Sequence, residues 1–483
     1  MTDKEILDFI LSEREWQTFE CKRASVKPSK LLETVVAFAN SEGGVLVVGI
    51  EDPQKADRSK RLFGLSESSD NAGEFLKLVE KDIDPQIKLW NKFELEIINR
   101  DGLKDKLLIC RISKSDDVHS LRHGDTYVRR GNQNVKIGSQ EIIRLKYEKG
   151  ALKFEDELSG SNTLDGLDID LLNRFKKELE GSDIDTWQFL KDNGLAVKHK
   201  DRHELTKAGV LIFARNPSIA LKGKFGIKIS HYHGTKPEFT GEPNFLRRPF
   251  TIEGPLLYQI EHTVKYFRDA VRSFPPKLKH SIFQSSLLIP EWAFQEAVTN
   301  AVIHRNYSMQ NDIQIRFFDN RIEIESPGTF PGQVTINNIL TERYSRNPII
   351  LRTLNRFAGA PNLDIGEGVN RMFEVMRQKN LYEPLYVPPH ISPHSVLLVL
   401  FNLERVEYWD IVNKFLEIKY RITNQQARQI TGIRDTLKMS RLLKMWVDKG
   451  LLEKIGSTDK KAVYYIRPGR NIPSTLFSSG SDN

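Results

Sequence analysis

Cysteine is scarce in this chain of 483 residues, which has only Cys21 and Cys110. Two cysteines cannot build a disulfide framework, argue against a zinc site and fit a reducing compartment, so we expect a cytoplasmic protein. No apolar run is long enough to span a membrane, and the opening segment MTDKEILDFI lacks the basic start and apolar stretch of a signal peptide. We therefore expect no membrane partner.

The positive charge of the chain is concentrated near its end. With 39% hydrophobic residues the chain can bury several cores, and its length predicts three or four domains. Residues 414–470 hold 14 Lys or Arg against 5 Asp or Glu, a net charge of +9, whereas the whole chain carries +8. A basic segment beside near-neutral domains is typical of contact with phosphate backbones, and a solvated lysine-rich surface is the alternative.

The most informative segment is EWQTFECKRASVKPSKLLETVVAFANSEGGVLVVGIED, which carries three carboxylates around one apolar run: Glu15, Glu20 and Asp52. The run from Val45 to Val48 predicts a buried strand, which places Asp52 just past its end. On a strand, Glu20 and Lys22 would share one face. Carboxylates hold Mg²⁺ or Mn²⁺ through oxygen, and a lysine can steady a phosphate or an attacking water. The alternative is a solvated helix face.

These residues resemble the AlbA-type nucleic-acid-binding domain of the Schlafen family. The matching positions are Glu15, Glu20, Lys22, Ala37-Phe38-Ala39-Asn40, Gly43-Gly44, Gly49-Ile50-Glu51-Asp52 and, further on, Tyr127-Val128-Arg129-Arg130-Gly131-Asn132. The resemblance covers roughly residues 10–147. Because other members of the family only bind DNA or regulate, it leaves open whether the domain cuts or binds.

In Schlafens that cut tRNA, an acidic triad occupies the places of Glu15, Glu20 and Asp52. The resemblance therefore implies that these three carboxylates bind a metal ion and act in catalysis with Lys22. Glu51 could take the third place, because it is adjacent to Asp52. The resemblance also implies that nucleic acid is contacted from the later segment, by Arg129 and Arg130.

A second signature lies in PEWAFQEAVTNAVIHRNY, where Glu296 and Asn300 are four residues apart and so share one helix face. Ser326-Pro327-Gly328 follows at the end of a predicted strand. Gly366-Glu367-Gly368 then opens a predicted helix, whose backbone N–H groups could face phosphates.

This order of elements resembles the GHKL ATPases and the GHKL-like module often found behind Schlafen-type AlbA domains in bacteria. The resemblance implies that Glu296 activates the attacking water, that Asn300 binds Mg²⁺ and that His304 lies near the phosphates. It also implies four ATP-lining positions: Ser326, Gly328, Gly366 and Gly368. Ser326 replaces the adenine-binding Asp of the family, so we expect weak discrimination between ATP and GTP. A degenerate scaffold or dimerisation unit is the alternative.

The segment after Arg405 predicts three helices followed by two strands. Thr423 should cap the second helix, and Gly450 should end the third. The order resembles a winged helix, which implies nucleic-acid contacts from the third helix and the wing: Arg434, Lys438, Arg441, Lys460 and Lys461. Winged helices also dock proteins, which is the alternative.

The chain is therefore expected to be an α+β multidomain protein. It should contain a Schlafen AlbA-type α/β domain at 1–150, a GHKL, Bergerat-like α/β sandwich at 286–402 and a winged helix at 405–470. Residues 151–168 predict a linker and 471–483 a disordered tail. Between them, 169–285 predicts a mixed connector, in which DLLNRFKKEL predicts a helix and AGVLIFA a buried strand.

The resemblance implies an ATP-responsive, metal-dependent endoribonuclease that uses Mg²⁺ or Mn²⁺ and ATP. Its substrate would be structured RNA such as tRNA, and the activity would serve bacterial stress or antiphage defence, in a homo-oligomer. One alternative is an ATP-tuned transcriptional regulator that binds DNA without cutting. The other is an assembly scaffold with a dead nucleotide site.

Overall fold

The computed structural model describes residues 2–13, 15–89, 91–199, 202–238, 243–273, 277–279, 282–284, 287–360, 367–419, 421–456 and 463–468. The chain divides into two compact units. The first contains 1–151, 332–337 and 407–483, and the second contains 152–331 and 338–406. None of the described helices is long and apolar enough to cross a membrane.

The N-terminal part of the first unit is a four-stranded sheet with helices on both faces. Its elements are α1 (Asp3–Ser12), β1 (Phe19–Lys22), α2 (Pro28–Asn40), β2 (Gly44–Val48), α3 (Ser69–Lys81), β3 (Ile83–Asp84), β4 (Lys92–Ile98), β5 (Lys104–Ile112), β6 (Ser120–Leu121), β7 (Thr126–Arg130), β8 (Gln133–Ile137) and α4 (Ser139–Lys149). The sheet order is β1-β2-β5-β4, and β1 runs parallel to β2.

Alternation along β1 and β2 separates two cores. Phe19 and Cys21 pack with α1 on one face of the sheet, whereas Leu46 and Val48 pack with α2 and α3 on the other. All five residues of β2 are buried, which confirms the predicted strand and explains its continuous apolar sequence. Glu20 and Lys22 also lie on a strand and not on a helix, so they share one face as predicted.

The second unit is built around a six-stranded sheet of order β12-β11-β15-β16-β18-β17. Its elements in chain order are α5 (Ile169–Glu178), α6 (Thr186–Asp192), β9 (Ala196–His199), β10 (Arg202–Leu205), α7 (Lys207–Phe213), α8 (Pro217–Ala220), β11 (Ile227–Tyr232), β12 (Phe245–Ile252), α9 (Leu256–Ser273), β13 (Lys277–Lys279), β14 (Ile282–Gln284), α10 (Glu291–Ile303), β15 (Ile313–Phe318), β16 (Arg321–Pro327), α11 (Pro348–Asn355), α12 (Gly368–Gln378), β17 (Leu385–Tyr386) and β18 (Ser395–Phe401).

Two segments of the predicted domain division have more structure than expected in the second unit: the connector at 169–285 and the linker at 151–168. The expected connector contributes β11 and β12 to the same sheet as the expected ATPase module, because β11 pairs with β15. The expected linker contains a single 3₁₀ turn at Phe154–Asp156, and the Glu155 carboxylate accepts hydrogen bonds from the N–H groups of Ile349 and Ile350.

The predicted strand AGVLIFA is wrong, because these residues form helix α7. Thr206 caps the helix by accepting a hydrogen bond from the N–H of Gly209. Every residue from Ala208 to Phe213 is buried. A short helix that is apolar on all sides has the same composition as a buried strand, so periodicity could not separate the two.

The part of the chain after Arg405, which we call the tail, contains five elements among its described residues. They are α13 (Trp409–Ile418), α14 (Asn424–Thr431), α15 (Thr436–Asp448), β19 (Glu453–Ile455) and β20 (Tyr464–Ile466). This is the predicted order of elements. Thr423 caps α14 as expected, and Gly450, with φ +72°, lies two residues after the end of α15. In the first unit Lys419 of this tail pairs with Glu5 at 3.1 Å.

Candidate nucleic-acid and nucleotide sites

Strand β1 places a lysine between two carboxylates. The Lys22 ammonium forms a direct ion pair with Glu20 and lies 3.8 Å from Oε1 of Glu15. Oε1 of Glu15 also accepts a hydrogen bond of 3.1 Å from the Cys21 N–H. Both carboxylate side chains are less than 10% exposed, whereas the Lys22 side chain is 29% exposed, so two buried acids meet a lysine that solvent partly reaches.

Burial changes the proton affinity of this cluster. It raises the pKa of Glu15 to about 7, with help from the charges of Glu20 and Asp52 and against the charge of Lys22. Burial alone would lower the pKa of Lys22, but the two carboxylates outweigh it and raise the pKa above its ordinary value. Lys22 therefore stays charged at neutral pH, while Glu15 exists in both protonation states.

Asp52 and Glu51 are the two expected candidates for the third place in the cluster, and the choice between them stays a prediction. The charge of Asp52 contributes to the raised pKa of Glu15. Glu51 instead lies 3.6 Å from Arg23 and 3.6 Å from Lys55 in ion pairs.

Arg129 is not a nucleic-acid contact, which corrects one expectation. Its side chain is fully buried and forms an ion pair with Glu20. It also donates to the Trp16 carbonyl at 3.0 Å and to the Asn134 amide oxygen at 2.8 Å. A guanidinium buried in this way holds Glu20 in place and cannot reach a phosphate. Arg130, the other expected nucleic-acid contact, is exposed and pairs with Glu141.

The carboxylates of the cluster are the expected ligands of a divalent cation. Within the described ranges, no three His, Cys, Asp or Glu side chains are placed to hold one metal ion. Glu15 and Glu20, however, already surround one cation, the Lys22 ammonium. Mg²⁺ usually binds through only one or two carboxylates and takes its other ligands from water and substrate phosphates. A site made by Glu15, Glu20 and Asp52 together stays a prediction.

In the second unit, helix α10 places Glu296 and Asn300 on one face as predicted. The Asn300 amide donates to Oε1 of Glu296 at 2.9 Å. Burial raises the pKa of Glu296, against the hydrogen bond from Asn300 and the charge of Arg371. Arg371, which also stacks on Trp292, is a neighbour that the sequence did not single out, although it lies three residues after Gly368.

Ser326 and Gly328 make packing contacts with helix α10 and the residues after it, and their expected role at ATP stays a prediction. The buried Ser326 hydroxyl donates to the Ala301 carbonyl of helix α10 at 2.7 Å. Gly328 has φ +102°, and an added Cβ would lie 2.5 Å from the Cβ of Asn306. Both residues therefore join the end of β16 to the end of α10.

His304 ends helix α10, and Gly368 begins α12. Burial, together with the charge of Arg346, lowers the pKa of His304 to about 4, so its imidazole is neutral at physiological pH. Its Nδ1 atom is buried without a hydrogen-bond partner. The expected phosphate-lining residue Gly366 lies outside the described residues.

Helix α15 presents its basic residues to solvent. Arg434, just before the helix, and Lys438 and Arg441 within it are all exposed, while Met439, Leu443 and Trp446 on the other side are buried. The contact of these cations with nucleic acid stays a prediction. Lys460 and Lys461 lie outside the described residues, as does the expected disordered tail at 471–483.

Comparison with known proteins matches two segments of the chain. Residues 15–138 match the family described as "Schlafen, AlbA_2". This chain contains a Schlafen-type AlbA domain. Residues 310–396 match the family described as "Putative ATP-dependent DNA helicase recG C-terminal", an ATPase-like domain. The expected combination of an AlbA domain with an ATPase module is thereby confirmed. Glu296 and Asn300 precede the second match.

Two solved structures are similar to the chain. The DIP2311 protein from Corynebacterium diphtheriae has 17% identity and a TM-score of 0.42, over 96% of this chain and 97% of that one. The N-terminal domain of the Putative ATP-dependent DNA Helicase RecG-related Protein from Nitrosomonas europaea has 21% identity and a TM-score of 0.20, over 24% of this chain and 74% of that one. No curated protein matches the chain.

Proposed function

We propose that this chain is an ATP-linked nucleic-acid-binding protein whose AlbA domain is a metal-dependent endoribonuclease. The substrate class is structured RNA such as tRNA. The observation that carries the proposal is the buried cluster in which Glu15 and Glu20 flank the Lys22 ammonium. Placing charges in a shielded site is costly for a fold, and such perturbed groups concentrate where chemistry occurs.

Each residue of the cluster has a role that follows from its surroundings. Lys22 remains charged and can bind a phosphate oxygen. Glu15, with a pKa of about 7, can accept or release a proton at its carboxylate near neutral pH. Arg129 holds the Glu20 carboxylate in position through an ion pair. Mg²⁺ or Mn²⁺, held by Glu15 and Glu20 with Asp52 as the expected third ligand, would stabilise negative charge on the scissile phosphate.

In the second unit, nucleotide bound to the ATPase-like domain would regulate the nuclease. Glu296 would activate water, Asn300 would hold Mg²⁺ and the start of α12 at Gly368 would face the phosphates. The exposed cations of α15 and Arg130 would add salt-sensitive affinity for RNA, with the tail acting as a winged helix. A cytoplasmic homo-oligomer active in stress or antiphage defence is the setting that the resemblance implies.

One observation favours a second function, a DNA-binding regulator that does not cut. Both oxygens of Glu20 are engaged by cations of the protein, Lys22 and Arg129. In this second function the two ion pairs of Glu20 serve to hold the domain together. In that case the AlbA domain and the tail would bind DNA, and ATP would tune the binding.

Binding and cleavage measured in the same samples separate the two functions. Full-length protein is mixed with labelled tRNA, single-stranded RNA or duplex DNA, with EDTA or Mn²⁺, and with or without ATP. The nuclease proposal predicts RNA fragments that require Mn²⁺ and change in yield with ATP. Tight DNA binding with every substrate left intact would establish the regulator and exclude the nuclease.

A further inference from the structure

An aromatic ring beside the acidic cluster carries two guanidinium groups. The guanidinium carbons of Arg23 and Arg100 each lie 3.9 Å from the centroid of the Phe63 ring. Arg23 directly follows Lys22 in the chain, and its guanidinium lies 3.6 Å from the carboxylate of Glu51, the residue before Asp52. We call Arg23, Phe63 and Arg100 the Arg-Phe-Arg stack.

Both arginines of the stack have further protein contacts, and both are partly open to solvent. Nε of Arg23 donates to Glu67 at 2.9 Å, and this hydrogen bond keeps the pKa of Arg23 above its ordinary value. The backbone N–H of Arg100 donates to the Leu62 carbonyl at 2.7 Å, and the side-chain Nε of Arg100 lies 3.8 Å from Oδ2 of Asp101. The Arg23 and Arg100 side chains are still 36% and 46% exposed. Each of the two arginine side chains is thus partly accessible to a ligand.

The loop before the stack adds exposed positive charge. Lys55, Arg58 and Lys60 are exposed in the segment that joins Asp52 to Phe63. The loop is fixed by the buried Arg61, whose Nε donates to the Glu51 carbonyl at 2.8 Å. Three nearby acids are paired with these cations: Glu67 with Arg23, Glu51 with both Arg23 and Lys55, and Asp101 with Arg100. Asp57 is an exposed acid of the same loop, which still carries one more cation than acids among its exposed residues from 53 to 60 after the pairing of Lys55 is set aside.

We propose that the Arg-Phe-Arg stack and the cations of this loop bind a single-stranded segment of nucleic acid next to the acidic cluster. A planar guanidinium that is already held in place can stack on an unpaired base at little entropic cost. The loop cations would neutralise the phosphates on either side of that base. Bases in a duplex are already stacked, so a single strand is the form that fits. The inference rests on the proposed function and names the part of the substrate that reaches the site.

The test separates stacking from charge with the variant Arg100→Lys, which keeps the charge and loses the plane. Binding of full-length protein is measured by fluorescence anisotropy with a labelled single-stranded oligonucleotide and with the same oligonucleotide carrying abasic sites, each as RNA and as DNA. Because Arg100→Lys removes the plane on which a base would stack, it should weaken binding of the intact strand about fivefold or more. It should leave binding of the abasic strand unchanged. Arg144→Lys, an exposed arginine on α4, is the matched control and should change neither.

Three outcomes would overturn the inference. Equal weakening of the intact and abasic strands would leave only a charge effect, and unchanged binding of both would exclude the stack. In both cases the wild-type protein still binds, so the proposed function survives. If the wild-type protein binds neither RNA nor DNA, the proposed function fails and the inference with it. Loss of stacking on RNA, on DNA or on both supports the inference, and the comparison shows which strand the site takes.

Discussion

The carboxylate of Glu296 lies where a side chain on Gly368 would begin. A Cβ added to Gly368 would be 1.8 Å from Oε1 of Glu296 and 3.1 Å from Oε2. The glycine thus lets the N-terminus of α12, where unpaired N–H groups favour an anion, approach the carboxylate that we propose as the base. The expected phosphate-binding helix start and the expected catalytic acid are therefore direct neighbours.

Gly368→Ala should disrupt this contact. We expect a loss of about 1–3 kcal/mol in the free energy of unfolding of the second unit, because an overpacked site must shift its backbone or side chains. Nucleotide binding measured by calorimetry should weaken as well. Gly166→Ala, where an added Cβ meets nothing within 4 Å, is the control. The loss should be smaller in a Glu296→Ala background, and an equal loss there would show that Glu296 is not the obstacle.

The stability of the first unit should depend on the protonation of Glu15. Its pKa is about 7 in the fold and 4.5 ordinarily, so between these values the unfolded chain releases a proton that the folded chain keeps. Rising pH therefore favours unfolding across this window. Glu15→Gln removes the effect and should stabilise the unit by about 1–3 kcal/mol at pH 8, with little change at pH 4.5. Urea denaturation at both pH values checks this, and a constant difference would contradict it.

Arg129→Ala should destabilise the first unit without a specific effect on nucleic acid. The change leaves Glu20 buried with one of its two cations removed, which typically costs about 3–5 kcal/mol. We expect a large fall in the urea midpoint, and in the fraction that stays folded the affinity for RNA should match the wild type. A stable variant that has lost RNA affinity would instead indicate that Arg129 contacts nucleic acid.

Removing charge from α15 should reduce the salt dependence of binding. Lys438→Gln combined with Arg441→Gln should lower the slope of log affinity against log salt by about 2, since each neutralised phosphate contributes about 0.9. Lys77→Gln with Lys81→Gln, two exposed lysines on α3, is the matched control. Equal slopes for the two double variants would make the tail a protein-docking segment.

Local features of the site could be predicted from the sequence, whereas its tertiary contacts could not. Strand β1 with Glu20 and Lys22 on one face follows from alternation, and the cap at Thr423 follows from residue type. The burial of Arg129 does not, because its partner Glu20 is 109 residues away in the chain. The same holds for Ser326, whose hydroxyl is taken by a carbonyl of helix α10. Motif matching places residues in a row, but packing decides which polar groups remain available.

The proposed nuclease activity depends on the carboxylate of Glu15. The most direct measurement is a time course of labelled tRNA with Mn²⁺, using the wild type, Glu15→Gln and the exposed control Glu74→Gln. Glu15 is chosen over Glu20 because Glu20 also neutralises the buried Arg129. We predict cleavage by the wild type and by Glu74→Gln, and a loss of at least about a hundredfold with Glu15→Gln at unchanged RNA affinity. Equal cleavage by all three proteins, or none by the wild type, would contradict the proposed site.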